Sequence, residues 1–307
     1  YTTLFRSLSG NSSFLYTWSS TADIVNSTFK DNEMNENDLL LVIVDSSIGI
    51  LKDSTFLVNK KSIVLYAKLV MPSAMVVLRL PNNFLISIES SYLYADTVNF
   101  TRCNNIFNLS SSEVFFNNLY VDIPSEIQYP KKLIEATSSK ITLNGSRVVS
   151  DGLMGQQSDL WIKGVLCDIS LNHLTIQNVS STDGTFLNAY DGKVSFYNFD
   201  VEDSIYQNGG SFINIMGGSQ LNITQAYFRN ASSMLACDAV ENIHIKDVLM
   251  IDDNSADSFI SIQNSDYIEI RDVNIAAGHE KSSSSILDSV ITIAESDPQI
   301  LIDNITV

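Results

Sequence analysis

Asp252 and Asp253 stand side by side, and Gly278-His279 follows one repeat later. Two carboxylates and an imidazole could supply acid, base and positioning group for an inverting hydrolysis, which needs its acid and base roughly 6.5 to 9.5 Å apart. Solvated loops carry the same residues, so Asp252, Asp253 and His279 define an alternative reading, and the first expectation is that the chain is not an enzyme. Asp31, Glu33, Asn35 and Asn37 alternate like calcium-loop ligands, but the sixth position lacks Gly and the twelfth is Val42 in place of Glu. His173, His244 and His279 are isolated, without metal-ligand spacing. No phosphate-binding Gly loop, Ser-His-Asp set or dinucleotide fingerprint is present. Neither a metal nor a cofactor is expected.

Covalent modification is the other chemistry in view. Asn-x-Ser/Thr sequons occur at Asn11, Asn26, Asn99, Asn108, Asn144, Asn178, Asn222, Asn230 and Asn304. Asn178 and Asn230 fall in the turn that leaves a strand, where a glycan would project into solvent. Asn26 and Asn304 fall at an inner bend, where the side chain is expected to point inward. Cys103, Cys167 and Cys237 lie about three repeats apart, roughly 14 Å along a stacked array, which exceeds the roughly 7 Å span of a disulfide. All three are expected to be free and buried.

A formal charge of −17, from 35 acidic and 18 basic residues, excludes a phosphate backbone as partner and disfavours anionic membrane surfaces. The longest apolar runs, such as Leu39 to Val44 and Ala74 to Leu78, are far too short to span a bilayer, so no membrane insertion is expected.

The element that must position these groups is a repeat. Its pattern is apolar, any, apolar, any, polar, apolar or small, any, apolar. Copies begin at Ile169, Val194, Leu221, Ile243, Ile268 and Ile300, with looser ones at Ala22, Gly49, Leu93, Val114 and Ile141. From Leu93 to Ile268 the starts lie 21, 27, 28, 25, 27, 22 and 25 residues apart. The longer gap between Gly49 and Leu93 calls for a hidden coil around Ile63 to Val70. Each copy alternates with period two, adds one residue, and resumes the alternation, which spells two short strands joined by a tight bend. A further apolar run precedes each copy, for example Phe186 to Ala189 and Phe259 to Ile262, making three strands per repeat. At the bend stand Asn26, Asp53, Asn118, Asn198, Asp247, Asp272 and Asn304, with Thr97, Gly145, His173 and Gln225 in the remaining copies. Asn tolerates the left-handed backbone, and its amide can bond the amide of the next coil, so this column reads as an Asn/Asp ladder.

These repeats resemble the pectin-lyase-like β-helix superfamily, nearest to its non-enzymatic surface members, in the stretches V-N-S-T-F at Val25 to Phe29 and D-S-T-F at Asp53 to Phe56. The resemblance implies an all-β, right-handed single-stranded parallel β-helix of about 12 coils over residues 1–307, read as a segment of a longer chain. Asp252-Asp253 and Gly278-His279 faintly resemble the paired Asp and Gly-His-Gly of polygalacturonases, but Glu280 follows the His and neither Asn-Thr-Asp nor Arg-x-Lys accompanies them. Low Cys content with abundant Asn, Ser and Ile suits an extracellular or cell-surface protein. The expected function is a structural or adhesive glycoprotein, a rod segment or filament subunit that self-associates or meets neighbouring segments at its coil ends. The alternatives are a carbohydrate-binding module using Tyr190, Tyr197 and Tyr206, and a polysaccharide hydrolase of polygalacturonase type.

Overall fold

The computed structural model describes residues 3–6, 15–18, 21–25, 27–30, 41–57, 63–77, 86–90, 92–101, 105–123, 132–153, 161–180, 185–204, 211–231, 233–251, 258–276, 289–294 and 299–306. Within them the chain is all-β, a parallel β-solenoid without helix, and every strand pairing is parallel. Asp252, Asp253, His279, Asn11, Asn26, Cys103, Tyr206 and the Asp31 to Asn37 stretch lie outside the described residues.

Why these residues form stacked strands is visible in single segments. In Lys193–Glu202 the alternation buries Val194 and Phe196, pauses at the exposed pair Tyr197-Asn198, and resumes with Phe199 and Val201. The pause works because Asn198 adopts φ +53°, a left-handed turn that redirects the strand while keeping both apolar sets on one side.

The repeat starts stand in strand register. Ala22 pairs with Gly49, Gly49 with Leu69, and Leu69 with Leu93. The series continues through Val114, Ile141, Ile169, Val194, Leu221, Ile243 and Ile268 to Ile300. The coil expected near Ile63 to Val70 is the strand Ile63–Val77, which pairs with Leu41–Leu57 on one side and with Ile86–Glu89, Tyr92–Asp96 and Val98–Thr101 on the other.

The run that precedes each copy forms its own stack, from Ile86–Glu89 through Asn105–Ser110, Lys132–Thr137, Ile162–Val165, Leu187–Tyr190, Ile213–Met216, Leu235–Asp238 and Ser258–Gln263 to Ser289–Ala294. Side chains facing inward form one continuous core from Ile88 to Ile275. Its spine is aromatic: Trp161 stacks on Phe186 at 6.2 Å and Phe186 on Phe212 at 6.0 Å, while Phe228 meets Phe199, Phe212 and Phe259 edge-on at 5.8 to 6.0 Å. Trp161, Phe186 and Phe212 directly precede the registered Ile162, Leu187 and Ile213, so ring lands on ring there, whereas Phe228 reaches them from another strand stack. Gly192 marks the tightest approach, since a Cβ there would lie 2.1 Å from the Cys167 carbonyl oxygen.

Candidate functional site

Two kinds of corner carry the side chains that could act. At the bend inside each copy, Thr97, Asn118, Gly145, His173, Asn198, Gln225, Asp247, Asp272 and Asn304 all have φ between +51° and +61°. The column points outward: Asn118, His173, Asn198, Asp247 and Asn304 are exposed and Asp272 is half-buried. The inward orientation expected for Asn304 is thereby corrected. Its neighbour Ile305 supplies the inward position, because a left-handed residue turns its own side chain to solvent. Within the column Asn198 Nδ2 donates to His173 Nδ1 at 2.8 Å, and Asn304 Nδ2 donates to Asp272 Oδ1 at 2.6 Å. An amide chain also runs one residue earlier, where Asn144 Nδ2 donates to Asn117 Oδ1 and Asn117 Nδ2 to Asp96 Oδ1, both at 2.9 Å. Asp53 lies in the strand Leu41–Leu57, with only its backbone described.

The other corner, before each copy, was not legible as a site. Ser111, Ser138, Leu166, Asp191, Gly217, Ala239 and Asn264 there have φ between +49° and +70°. Behind them Ser112, Ser139, Cys167 and Ser265 are buried. Ser112 N–H donates to Ser139 Oγ at 3.1 Å, Ser139 N–H to Cys167 Sγ at 3.4 Å, and Val240 N–H to Ser265 Oγ at 3.4 Å. Each hydroxyl in turn donates to the carbonyl two residues back, at 2.8 Å for Ser139 to Thr137 and 3.0 Å for Ser265 to Gln263. The Cys167 thiol takes a hydroxyl's place in this ladder, donating to Val165 O at 3.2 Å. The Ser111-Ser112 and Ser138-Ser139 pairs, one repeat apart, are the sequence signal that would have found it. Cys167 and Cys237 are both free and buried, and burial pushes both thiols above their ordinary pKa.

The strands between the two kinds of corner, such as Tyr92–Asp96, Glu113–Asn117 and Lys140–Asn144, form a middle stack whose outer face holds a mixed row. Tyr94 and Phe115 are in register and parallel, with centroids 5.5 Å apart. The row goes on through Thr142, Ser170, Ser195 and Asn222, then His244 and Glu269, each paired with the next. All eight are half-buried. A groove of about 210 Å³ opens over its middle, lined by Thr142, Ser170, Ser195 and Asn222 together with Lys140, Asp168, Lys193 and Gln220. Ser195 Oγ donates to Ser170 Oγ at 3.2 Å, and Gln220 Nε2 donates to Asn222 Oδ1 at 3.4 Å. At its far end His244 Nδ1 donates to Glu269 Oε2 at 3.0 Å, and Arg271 Nε pairs with Glu269 Oε1 at 2.7 Å. The His244 hydrogen bond, then Arg271, holds the Glu269 carboxyl below its usual range. On the last strand stack Asp200 is pushed up by burial and by Glu202, and its Oδ1 is buried with no hydrogen-bond partner among the described residues.

The sequons separate by environment. Asn178 is exposed at a left-handed corner, φ +55°, and Asn108 is exposed on a strand. Asn230, φ +48°, is half-buried and its Nδ2 donates to Asp203 Oδ1 at 2.9 Å. Asn144, Asn222 and Asn304 have side chains in the contacts given above, and Asn99 lies in the strand Val98–Thr101. Of the aromatic residues singled out for binding, Tyr190 and Tyr197 do not lie together. Tyr190 pairs with Val165 and Met216, receives a hydrogen bond from Asn188 Nδ2 at 3.2 Å, and sits on a different stack from the exposed Tyr197. Among the described residues no group of three or more His, Cys, Asp or Glu is placed to hold a metal ion, and no helix is long and apolar enough to cross a membrane.

No protein-family model and no curated protein matches the chain. Among solved structures it is similar to the A-module of the mannuronan C-5 epimerase of Azotobacter vinelandii, at 11% identity and TM-score 0.26 over 94% of this chain and 90% of that one. It is also similar to tailspike protein 3 of bacteriophage CBA120, at 10% identity and TM-score 0.31 over 91% of this chain and 56% of that one. The fold is a parallel β-solenoid, and the strand register carries that assignment.

Proposed function

We propose that the protein is a structural or adhesive glycoprotein of the cell surface or extracellular space, with residues 1–307 forming one rod-shaped unit. In this reading the solenoid is right-handed and makes about 12 coils of three short strands each. The observation that carries it is the unbroken strand register from Leu93 to Ile300 over one continuous core. A rod needs stacking and a polar coat, and those are the features the repeat maintains. N-glycans at the exposed Asn178 and Asn108 fit the same role. Self-association at the coil ends belongs to the same reading. The test is secretion from a eukaryotic host followed by glycopeptide mass spectrometry and electron microscopy. Occupied Asn178 with end-to-end rods is expected; bare asparagines on dispersed particles would overturn the reading.

A carbohydrate-binding module is the second reading, and the mixed row from Tyr94 to Glu269 favours it. A polysaccharide hydrolase remains tied to Asp252, Asp253 and His279, outside the described residues. Its test is turnover lost in Asp253→Asn.

A further inference from the structure

We infer that the outer face of the middle strand stack is a binding strip for a linear, neutral, polyhydroxylated chain, a glycan laid along the solenoid axis. The inference rests on the carbohydrate-binding reading and assigns it a site, an orientation and a ligand charge.

Three observations carry it. First, the row runs in strict strand register, so its eight members are spaced about 4.8 Å apart and span on the order of 34 Å. A straight line of regularly spaced groups suits an extended repeating polymer better than a compact solute.

Second, the order of side chains divides the strip by chemistry. Tyr94 and Phe115 lie parallel, with an interplanar angle of 1°, and remain half-buried on the outside of the coil. Stacked on one another, the two rings present an apolar, ring-edged surface against which the C–H groups of a sugar can pack. Thr142, Ser170, Ser195 and Asn222 follow, short side chains that leave the groove of about 210 Å³ above them. Their hydroxyl and amide groups both donate and accept, which matches the dual character of sugar hydroxyls.

Third, charge fixes the ligand class. Glu113, Lys140, Asp168 and Lys193 succeed one another in register along the groove's flank, alternate in sign and sum to zero, with Lys140 Nζ 2.7 Å from Glu113 Oε1. His244, Glu269 and Arg271 close the strip as a hydrogen-bonded and ion-paired set. In a molecule of net charge −17 this locally balanced strip offers no excess cation to a polyanion.

The experiment is titration calorimetry of the intact protein with three neutral linear hexasaccharides of glucose, N-acetylglucosamine and mannose, and with a hexauronate as the anionic probe. Binding of a neutral probe, weakened about tenfold in both Phe115→Ala and Asn222→Ala with the melting temperature retained, is expected. Arg229→Ala, on another strand stack, serves as the control that leaves binding unchanged. Neutral binding that survives both substitutions would overturn the strip while leaving carbohydrate binding standing; no binding of any probe would overturn both. Tighter binding of the hexauronate would overturn the ligand class.

Discussion

Two of the coil's corners, the bend inside each copy and the one before it, share a backbone conformation and differ in what they bury. At both, one residue after another takes a φ near +50° to +60°. Behind the bend inside most copies stand buried apolar residues, Leu119, Leu174, Phe199, Val248 and Val273 among them, with the buried Ser146 behind Gly145 as the exception. Behind the corner before it stand Ser112, Ser139, Cys167 and Ser265, whose hydroxyl or thiol groups accept an amide of the preceding coil or bond a strand carbonyl, and the apolar Val240 behind Ala239. The left-handed turn is therefore what stacking requires, and the slot behind it can be filled by burial or by hydrogen bonding. Asn is one way to occupy the turn, not the cause of it, since Leu166 and Ala239 take the same conformation.

That contrast can be broken first on the apolar side. Phe199→Ala empties a buried slot that touches Phe186, Phe196 and Phe228, and should cost about 3 to 5 kcal/mol in chemical denaturation. A loss under about 1 kcal/mol would mean that the slot is not packed as described.

On the hydrogen-bonded side, Ser139→Ala removes the acceptor of Ser112 N–H and the donor to Thr137 O. The expected loss is about 1 to 2 kcal/mol, with Cys167→Ser near neutral because a hydroxyl suits that place equally. Stabilisation by Ser139→Ala would show that the ladder is incidental.

Leu166→Gly tests the backbone requirement that both corners share. Leu166 is 58% exposed with φ +56°, so Gly relieves left-handed strain while burying nothing less, and a gain of roughly 0.5 to 1 kcal/mol is expected. Thermal melting of the single variant reads it.

The smallest effect is electrostatic and lies on the outer face. Glu269 is held below the ordinary carboxyl pKa of about 4.3, so its contribution is present above that value and disappears as pH falls through the lower folded-state value. The melting difference between wild type and Glu269→Gln should thus shrink in acid; a difference that grows there would contradict the His244 contact.

The fold was legible because the core obliges the sequence to repeat. Ile169, Val194, Leu221 and Ile243 must be apolar at one spacing, and the gap before Leu93 exposed a missing coil that proved to start at Leu69. The outer row was not legible in the same way. Tyr94, Thr142, Ser195 and His244 share a position in the repeat but no residue type, since solvent imposes none, and only the register shows them to be neighbours. The serine corner escaped because Leu166 and Ala239 are poor turn formers by composition, so the turn there follows from stacking on adjacent coils rather than from local preference.

The central claim is the register itself. Ser110, Thr137, Val165, Tyr190, Met216, Asp238 and Gln263 are successive partners, and Ser110, Met216 and Gln263 are exposed. Spin labels at Ser110 with Met216, and at Ser110 with Gln263, should therefore report backbone separations of about 19 and 29 Å, each strand step adding about 4.8 Å. Measured distances that fit those two steps in order would establish the solenoid; equal distances, or an inverted order, would contradict it.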